Sequence, residues 1–289
     1  MADRGTPEHV RRPREVVSFV RRGARLSPSR QHAWDTYSEQ YVLDLPRGER
    51  DTVPAPEARL DLEEVFGRRA ELVVEIGSGQ GENIAAAAAR CPERDHLACE
   101  VYIPGLAQTL DRLHRAGLPQ NVRLLPLDAP RALPALLPPA SIHELWIYFP
   151  DPWHKSKHHK RRIVNPPLLN AVLPLMAPGA VLRLATDWAQ YAHHMREVLD
   201  ADPRLTSLFP EGPRPEGTPT DPVPEDIAPY GWAPRFDGRV LTSFENKAHR
   251  AGRLIWDLAY RVEPHDTVPG DGARGAASSL PLHDGGENA

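Results

Sequence analysis

The residues best suited to hold a small ligand are three carboxylates and a glycine-rich turn. Gly77-Ser78-Gly79-Gln80-Gly81 follows a short apolar run and opens an alanine-rich segment. Glycines there let the backbone turn sharply and approach a ligand closely. Glu75 lies inside the preceding, otherwise apolar run, where an acid is costly to bury without a partner. A bound ammonium or a donor-rich ligand would supply one. Glu100 ends the next run, about 20 residues past the turn, where a carboxylate can accept both hydroxyls of a ribose. Asp128 ends a third run, where a side chain can accept from an adenine amine. Acids at three successive strand ends face the crevice in which open α/β sheets bind ligands. The glycines run G-x-G-x-G, not the G-x-G-x-x-G of a dinucleotide turn, and Glu75 suits a pyrophosphate poorly. The pattern favours S-adenosylmethionine over NAD.

A second constellation follows a fourth apolar run: Phe149 to Arg162, FPDPWHKSKHHKRR. Two prolines fix the backbone around Asp151. A rigid carboxylate there can accept hydrogen bonds from a base edge, and Trp153 offers a face for stacking. Lys155, Lys157, Lys160, Arg161 and Arg162 add five positive charges within eight residues, which suits a phosphate backbone and salt-sensitive binding. Charge runs are usually solvated loops, but this one abuts the aspartate at the mouth of the expected site. His154, His158 and His159 lie among cations that oppose a metal ion, so no metal is expected. Asp187, in Thr186-Asp187-Trp188, either caps the following helix or touches substrate. Its place on the crevice side favours substrate.

These residues need a frame. Leu72 to Ile76, His96 to Glu100, Val122 to Leu127, Ile142 to Phe149 and Ala180 to Ala185 read as strands. Ile84 to Ala89, Gly105 to Ala116, Pro166 to Met176 and Ala189 to Leu199 read as helices, the third stopped by Pro178-Gly179. Alternating strands and helices imply right-handed βαβ units. The expected fold is α/β: a Rossmann-like, doubly wound, mostly parallel seven-stranded sheet. Val240 to Val262 holds two further strand-like runs that could close the sheet. Val16 to Leu45 could pack as short helices, and Asp51 to Ala58 reads as a connector. The expected organisation is a disordered arm over 1–14, one domain over 15–262 with a proline-rich insertion at 209–235, and a disordered acidic tail over 263–289.

Composition limits the rest. Cys91 and Cys99, the only cysteines of the 289 residues, match no zinc pattern and read as apolar fillers. No apolar stretch approaches the ~20 residues that span a bilayer, and the arginine-rich start has no apolar signal core, so a cytoplasmic location is the default. The net charge of −4 is misleading. Glu263, Asp266, Asp271, Asp284 and Glu287 against Arg274 place all of it in the tail, leaving 1–262 neutral with local basic patches. Whether the chain is a monomer or a homodimer stays open.

The chain resembles the bacterial tRNA (guanine-N7-)-methyltransferase family. FPDPWHKSKHHKRR looks like that family's signature and VEIGSGQGEN like its cofactor loop. SFVRRGARLS, ACEVYIPG, ATDWAQYAHHM and TSFENKAHRAGRLIWDL are similar to further family segments, so the likeness runs from about Ser18 to Leu258. It implies a class I methyltransferase fold and methyl transfer from S-adenosylmethionine to N7 of a guanine in the tRNA variable loop. By this resemblance Glu75, Gly77, Gly79, Gly81, Glu100, Asp128 and Asp151 bind cofactor, with Asp151 also catalytic. Lys155, Asp187, Thr242, Ser243, Phe244 and Glu245 bind substrate. The family's Phe-Glu-Gln-Arg-Gly is replaced by Phe244-Glu245-Asn246-Lys247-Ala248, and a lysine cannot make the arginine fork. Two rivals remain. One is an enzyme that methylates exocyclic amines of a nucleic acid, although its Asp-Pro-Pro-aromatic order differs from Pro150-Asp151-Pro152-Trp153. The other is a non-catalytic RNA-binding protein on the same fold.

Overall fold

The computed structural model describes residues 18–19 and 25–264. The expected arm over 1–14 and the tail from 265 onward lie outside the described residues. Along the chain the elements are α1 (Pro28–Tyr41), α2 (Leu62–Phe66), β1 (Leu72–Ile76), α3 (Glu82–Arg90), β2 (Asp95–Cys99), α4 (Ile103–Arg115), β3 (Val122–Leu125), α5 (Ala129–Leu136), β4 (Ile142–Tyr148), α6 (Pro166–Val172), β5 (Met176–Thr186), α7 (Ala189–Asp200), β6 (Leu205–Ser207), α8 (Ser243–Arg250) and β7 (Trp256–Val262).

The strands form one seven-stranded sheet in the order β3-β2-β1-β4-β5-β7-β6. Five are parallel, while β7 runs antiparallel to β5 and β6. Helices cover both faces, so β1 and β2 are buried at every position and carry no polar alternation. The strand order reverses between β1 and β4, which places the carboxyl ends of those strands, and the turns that follow them, at the switch point where such sheets form crevices.

Five expected strands and the α/β class appear where the patterning puts them, and the ends of the sheet differ. Val240 to Val262 holds one strand, β7, preceded by α8, and the remaining closing strand is β6, outside that span. The physical reason lies in Thr242-Ser243-Phe244-Glu245, where the Thr242 hydroxyl accepts from the Glu245 N–H at 3.1 Å and caps a helix. The expected helix from Pro166 ends at Val172 and passes through a 3-10 turn, and Met176 already belongs to β5. Pro178-Gly179 sits inside β5, at the shift between the Ile142–Met176 and Glu144–Val181 pairings. Within Val16 to Leu45 the described residues form one helix, α1, which packs on α4 through a 2.8 Å bond between the Tyr37 hydroxyl and His114 Nδ1.

Phe209 to Arg235 contains no helix or strand beyond isolated bridges, yet it is pinned to the body. Trp232 is buried against Trp256 with ring centroids 4.8 Å apart. Asp221 accepts from the Ala189 N–H and so caps α7 from a distance.

Candidate active site

A cleft of about 310 Å³ opens at the switch point, lined by the turn after β1 and the ends of β2, β3 and β4. Its floor is the glycine turn. Gly77, Gly79 and Gly81 have φ of 74°, 59° and 70°, the left-handed region in which glycine is unstrained. Gly105 of α4 lies so close beneath that a Cβ there would stand 2.3 Å from the Gly79 carbonyl oxygen. The Glu100 carboxylate fixes the turn from the side, accepting from Gly79 N–H at 2.9 Å and from Tyr102 N–H at 2.8 Å. Burial and the charge of Asp151 raise the Glu100 pKa against the pull of those backbone donors.

Glu75 is 4% exposed, and its Oε2 has no hydrogen-bond partner among the described residues. Burial pushes its pKa up to about 8, with the neighbouring Glu100 charge adding to the rise. Ser78 Oγ, Asn83 Nδ2 and the Tyr148 hydroxyl are also buried without partners, and all three residues line the same cleft. Buried polar atoms are nearly always bonded, so a cluster of orphans in one cavity points to a polar ligand. An acceptor beside donors fits the ammonium and carboxylate of an amino-acid moiety. Asp128 lies on the far wall, its pKa raised to about 6 by burial. Sequence reasoning reached Glu75, Glu100 and Asp128 but missed Asn83 and Tyr148. The signal for Asn83 was present, as a lone amide in the alanine-rich helix α3.

Asp151 is exposed at the rim, and among the described residues it has no hydrogen-bond or ion-pair partner. The backbone is tense on both sides of it, with Phe149 at φ 50° and Trp153 at φ 48°. Non-glycine residues in this region are held there by their surroundings and cluster at functional sites. His154 meets Trp188 edge-on at 4.1 Å and ties the loop to the end of β5.

The basic block does not act as one surface. Ser156–Arg161 is a 3-10 turn that leaves Lys155, Lys157 and Lys160 exposed. Arg161 lies 3.8 Å over the Trp153 ring and donates to the Phe19 carbonyl at 2.9 Å, so one face of Trp153 is already covered. Arg162, expected to contact RNA, is 3% exposed. It donates to the Pro152 carbonyl at 3.0 Å and lies over Tyr191, holding the loop rather than facing outward.

The remaining expected substrate contacts divide similarly. Thr242 and Phe244 line the cleft, and Phe244 is 54% exposed. The Ser243 N–H and hydroxyl both donate to Glu82 Oε2, at 2.7 and 2.9 Å. Glu245 is fully buried and cannot reach a substrate; it takes a fork from Arg235 at 2.7 and 3.0 Å and a bond from Arg239 at 3.1 Å. Burial would raise its pKa, but these guanidiniums hold it below the usual carboxylate value. Asp187 does not cap α7; it pairs with Arg253 at 2.7 Å. Among the described residues there is no group of metal-ligating side chains and no helix long and apolar enough to cross a membrane.

The chain has informative relatives. Residues 69–258 match the family described as putative methyltransferase. The tRNA (guanine-N(7)-)-methyltransferase of Paenarthrobacter aurescens is 44% identical over 275 residues, covering 85% of this chain and 91% of that one. That of Cutibacterium acnes is 47% identical over 248 residues, covering 86% and 83%. Among solved structures, the 16S rRNA methyltransferase KamB matches with a TM-score of 0.46 and 16% identity over 77% of this chain and 100% of that one.

Proposed function

Since the chain belongs to the tRNA (guanine-N(7)-)-methyltransferase family, we propose that it methylates N7 of a guanine in tRNA from S-adenosylmethionine, with Asp151 as the catalytic carboxylate. The observation that carries this reading is an exposed Asp151, unpartnered among the described residues, at the rim of a cleft whose floor holds the orphaned polar atoms of Glu75, Ser78 and Asn83. Glu75 and Asn83 suit the two charged ends of the cofactor's amino-acid moiety. Glu100 and Asp128 suit its ribose and adenine. When bound, S-adenosylmethionine supplies an electrophilic methyl group.

Guanine N7 carries an in-plane lone pair and no proton, so no general base is needed to free the nucleophile. Orientation and electrostatics then dominate. Asp151 accepts hydrogen bonds from the N–H groups of the purine and balances the positive charge that grows on its ring. The tense backbone on either side of Asp151 supports this role, because it fixes the carboxylate before substrate arrives. Lys155, Lys157 and Lys160 lie beside it, where neighbouring phosphates would pass.

The test is incubation with radiolabelled S-adenosylmethionine and unmodified tRNA, followed by digestion and nucleoside identification. The expected product is 7-methylguanosine. A methyl group on an exocyclic amine would support the amino-methylating rival instead, and no transfer with no cofactor binding would support the non-catalytic one. Asp151→Ala should lower kcat by roughly 10²–10³ while the fold is kept. Near-normal turnover in that variant removes Asp151 from the chemistry.

A further inference from the structure

Helix α8 is clamped across the rim of the cleft. At its start Ser243 is tied to Glu82, and the Phe244 ring lies 3.8 Å from where a Cβ on Gly79 would stand. Just past its end, Arg253 pairs with Asp187 at the end of β5. Its inner face carries Glu245 and Ala248, both fully buried, and Glu245 is bound by two arginines. A helix held this way cannot roll, so what it turns outward is fixed.

Outward it presents Phe244, Lys247 and Arg250, all exposed. Residues three apart are neighbours on a helix surface, and each step advances about 4.5 Å along the axis. The three form a stripe that starts at the cleft as an aromatic ring and continues as two cations. Among the described residues neither Lys247 nor Arg250 has a carboxylate partner, since Glu245 is buried and Asp187 is engaged by Arg253. The described large apolar residues that stay exposed are Tyr230, Leu241 and Phe244, and the last two stand together at the start of α8. Apolar surface left in water beside cations is what single-stranded nucleic acid binds, with bases stacked on rings and phosphates on charges.

We propose that the outer face of α8, from Phe244 through Lys247 to Arg250, is a second docking track for the tRNA backbone, separate from the lysines that follow Asp151. This rests on the proposed tRNA substrate. A nucleotide lowered into the cleft carries a phosphate on each side across the rim. The lysine loop after β4 serves one side and α8 serves the other. The occupant is a polyanion, because the stripe offers cations and one aromatic face with no free acid.

The test compares the full chain with its Lys247→Gln/Arg250→Gln form, measuring tRNA affinity by anisotropy between about 50 and 200 mM salt and cofactor affinity by calorimetry. The variant should bind tRNA about tenfold more weakly at low salt. The slope of log affinity against log salt should be shallower by about 1 to 2, as expected for two lost phosphate contacts. Cofactor affinity should stay unchanged. Identical tRNA affinity and slope in the two proteins would overturn the α8 track while leaving the activity standing. If the unaltered chain neither binds nor methylates tRNA, the proposed function falls and the track falls with it.

Discussion

Arg253 donates its Nε–H to Asp187 Oδ2 at 2.7 Å, joining two residues 66 positions apart and tying the turn after α8 to the end of β5. Both side chains are only about a quarter exposed. A substrate that reached Asp187 would meet a carboxylate already oriented by a cation. Arg253→Met should lower kcat/KM for tRNA about tenfold through misplacement of that carboxylate. Unfolding free energy should change by less than about 1 kcal/mol, as for a partly exposed pair. Steady-state kinetics alongside chemical denaturation separate the two effects, and Arg253→Lys should recover part of the activity. Equal losses of stability and rate would make Arg253 a structural residue only.

Glu75 gives a pH prediction with a definite sign. Its folded-state pKa, raised to about 8 by burial, lies well above that of a free carboxyl. Between about pH 5 and 8 the folded chain without cofactor holds a proton that the unfolded chain has released. The stability that this proton confers is present at acid pH and fades as pH rises through 8. Glu75→Gln cannot ionise, so without cofactor it should melt at a higher temperature than the unaltered chain at about pH 8.5. The gap should narrow at about pH 5.5. The same variant should bind S-adenosylmethionine at least tenfold more weakly, because a charge-assisted bond is lost. Parallel melting curves at both pH values would show that Glu75 does not titrate as described.

The ion-pair node beneath the cleft is structural. Arg239 is 1% exposed and bridges Glu245 and Asp257, and Arg235 completes the fork on Glu245. Glu245→Gln leaves two guanidiniums with half their compensation, at a cost of about 3–5 kcal/mol. For a chain of this size that corresponds to a drop in melting temperature on the order of 10 °C. Calorimetry checks it, and a change of under about 1 kcal/mol would mean that Asp257 alone satisfies Arg239.

Gly105→Ala should act on the cofactor more than on the fold. Its new Cβ would stand 2.3 Å from the Gly79 carbonyl oxygen and push up the turn that Glu100 holds. Overpacking of this kind costs about 1–3 kcal/mol. Cofactor affinity measured by calorimetry should fall at least tenfold. Unaltered affinity would show that the glycine turn does not touch the ligand.

Much of the frame was legible because doubly covered parallel strands are nearly continuous apolar runs, as at Leu72–Ile76, where Glu75 alone is polar. Glu75 was conspicuous for the same reason, being an acid where burial is certain. What escaped was set by tertiary contact. Helix α5 carries Pro130 and Pro134, which hide a helical pattern. Helix α1 buries only Ala33 and Tyr41, leaving almost no apolar stripe to read. Strand β6 has three residues, too few for any period. Arg162 and Glu245 read as surface charges because nothing local reveals that Tyr191 or Arg239 will enclose them.

The placement of β7 bears on synthesis. Both α8, which walls the cleft, and Asp257, which anchors Arg239, come from the last part of the described chain, and β5 depends on β7 for its edge from Val181 to Thr186. A nascent polypeptide halted near residue 240 would leave that edge bare, with main-chain N–H and C=O groups open to pairing with another chain. Competence to take up cofactor and resistance to aggregation thus arrive together, as β7 emerges from the ribosome.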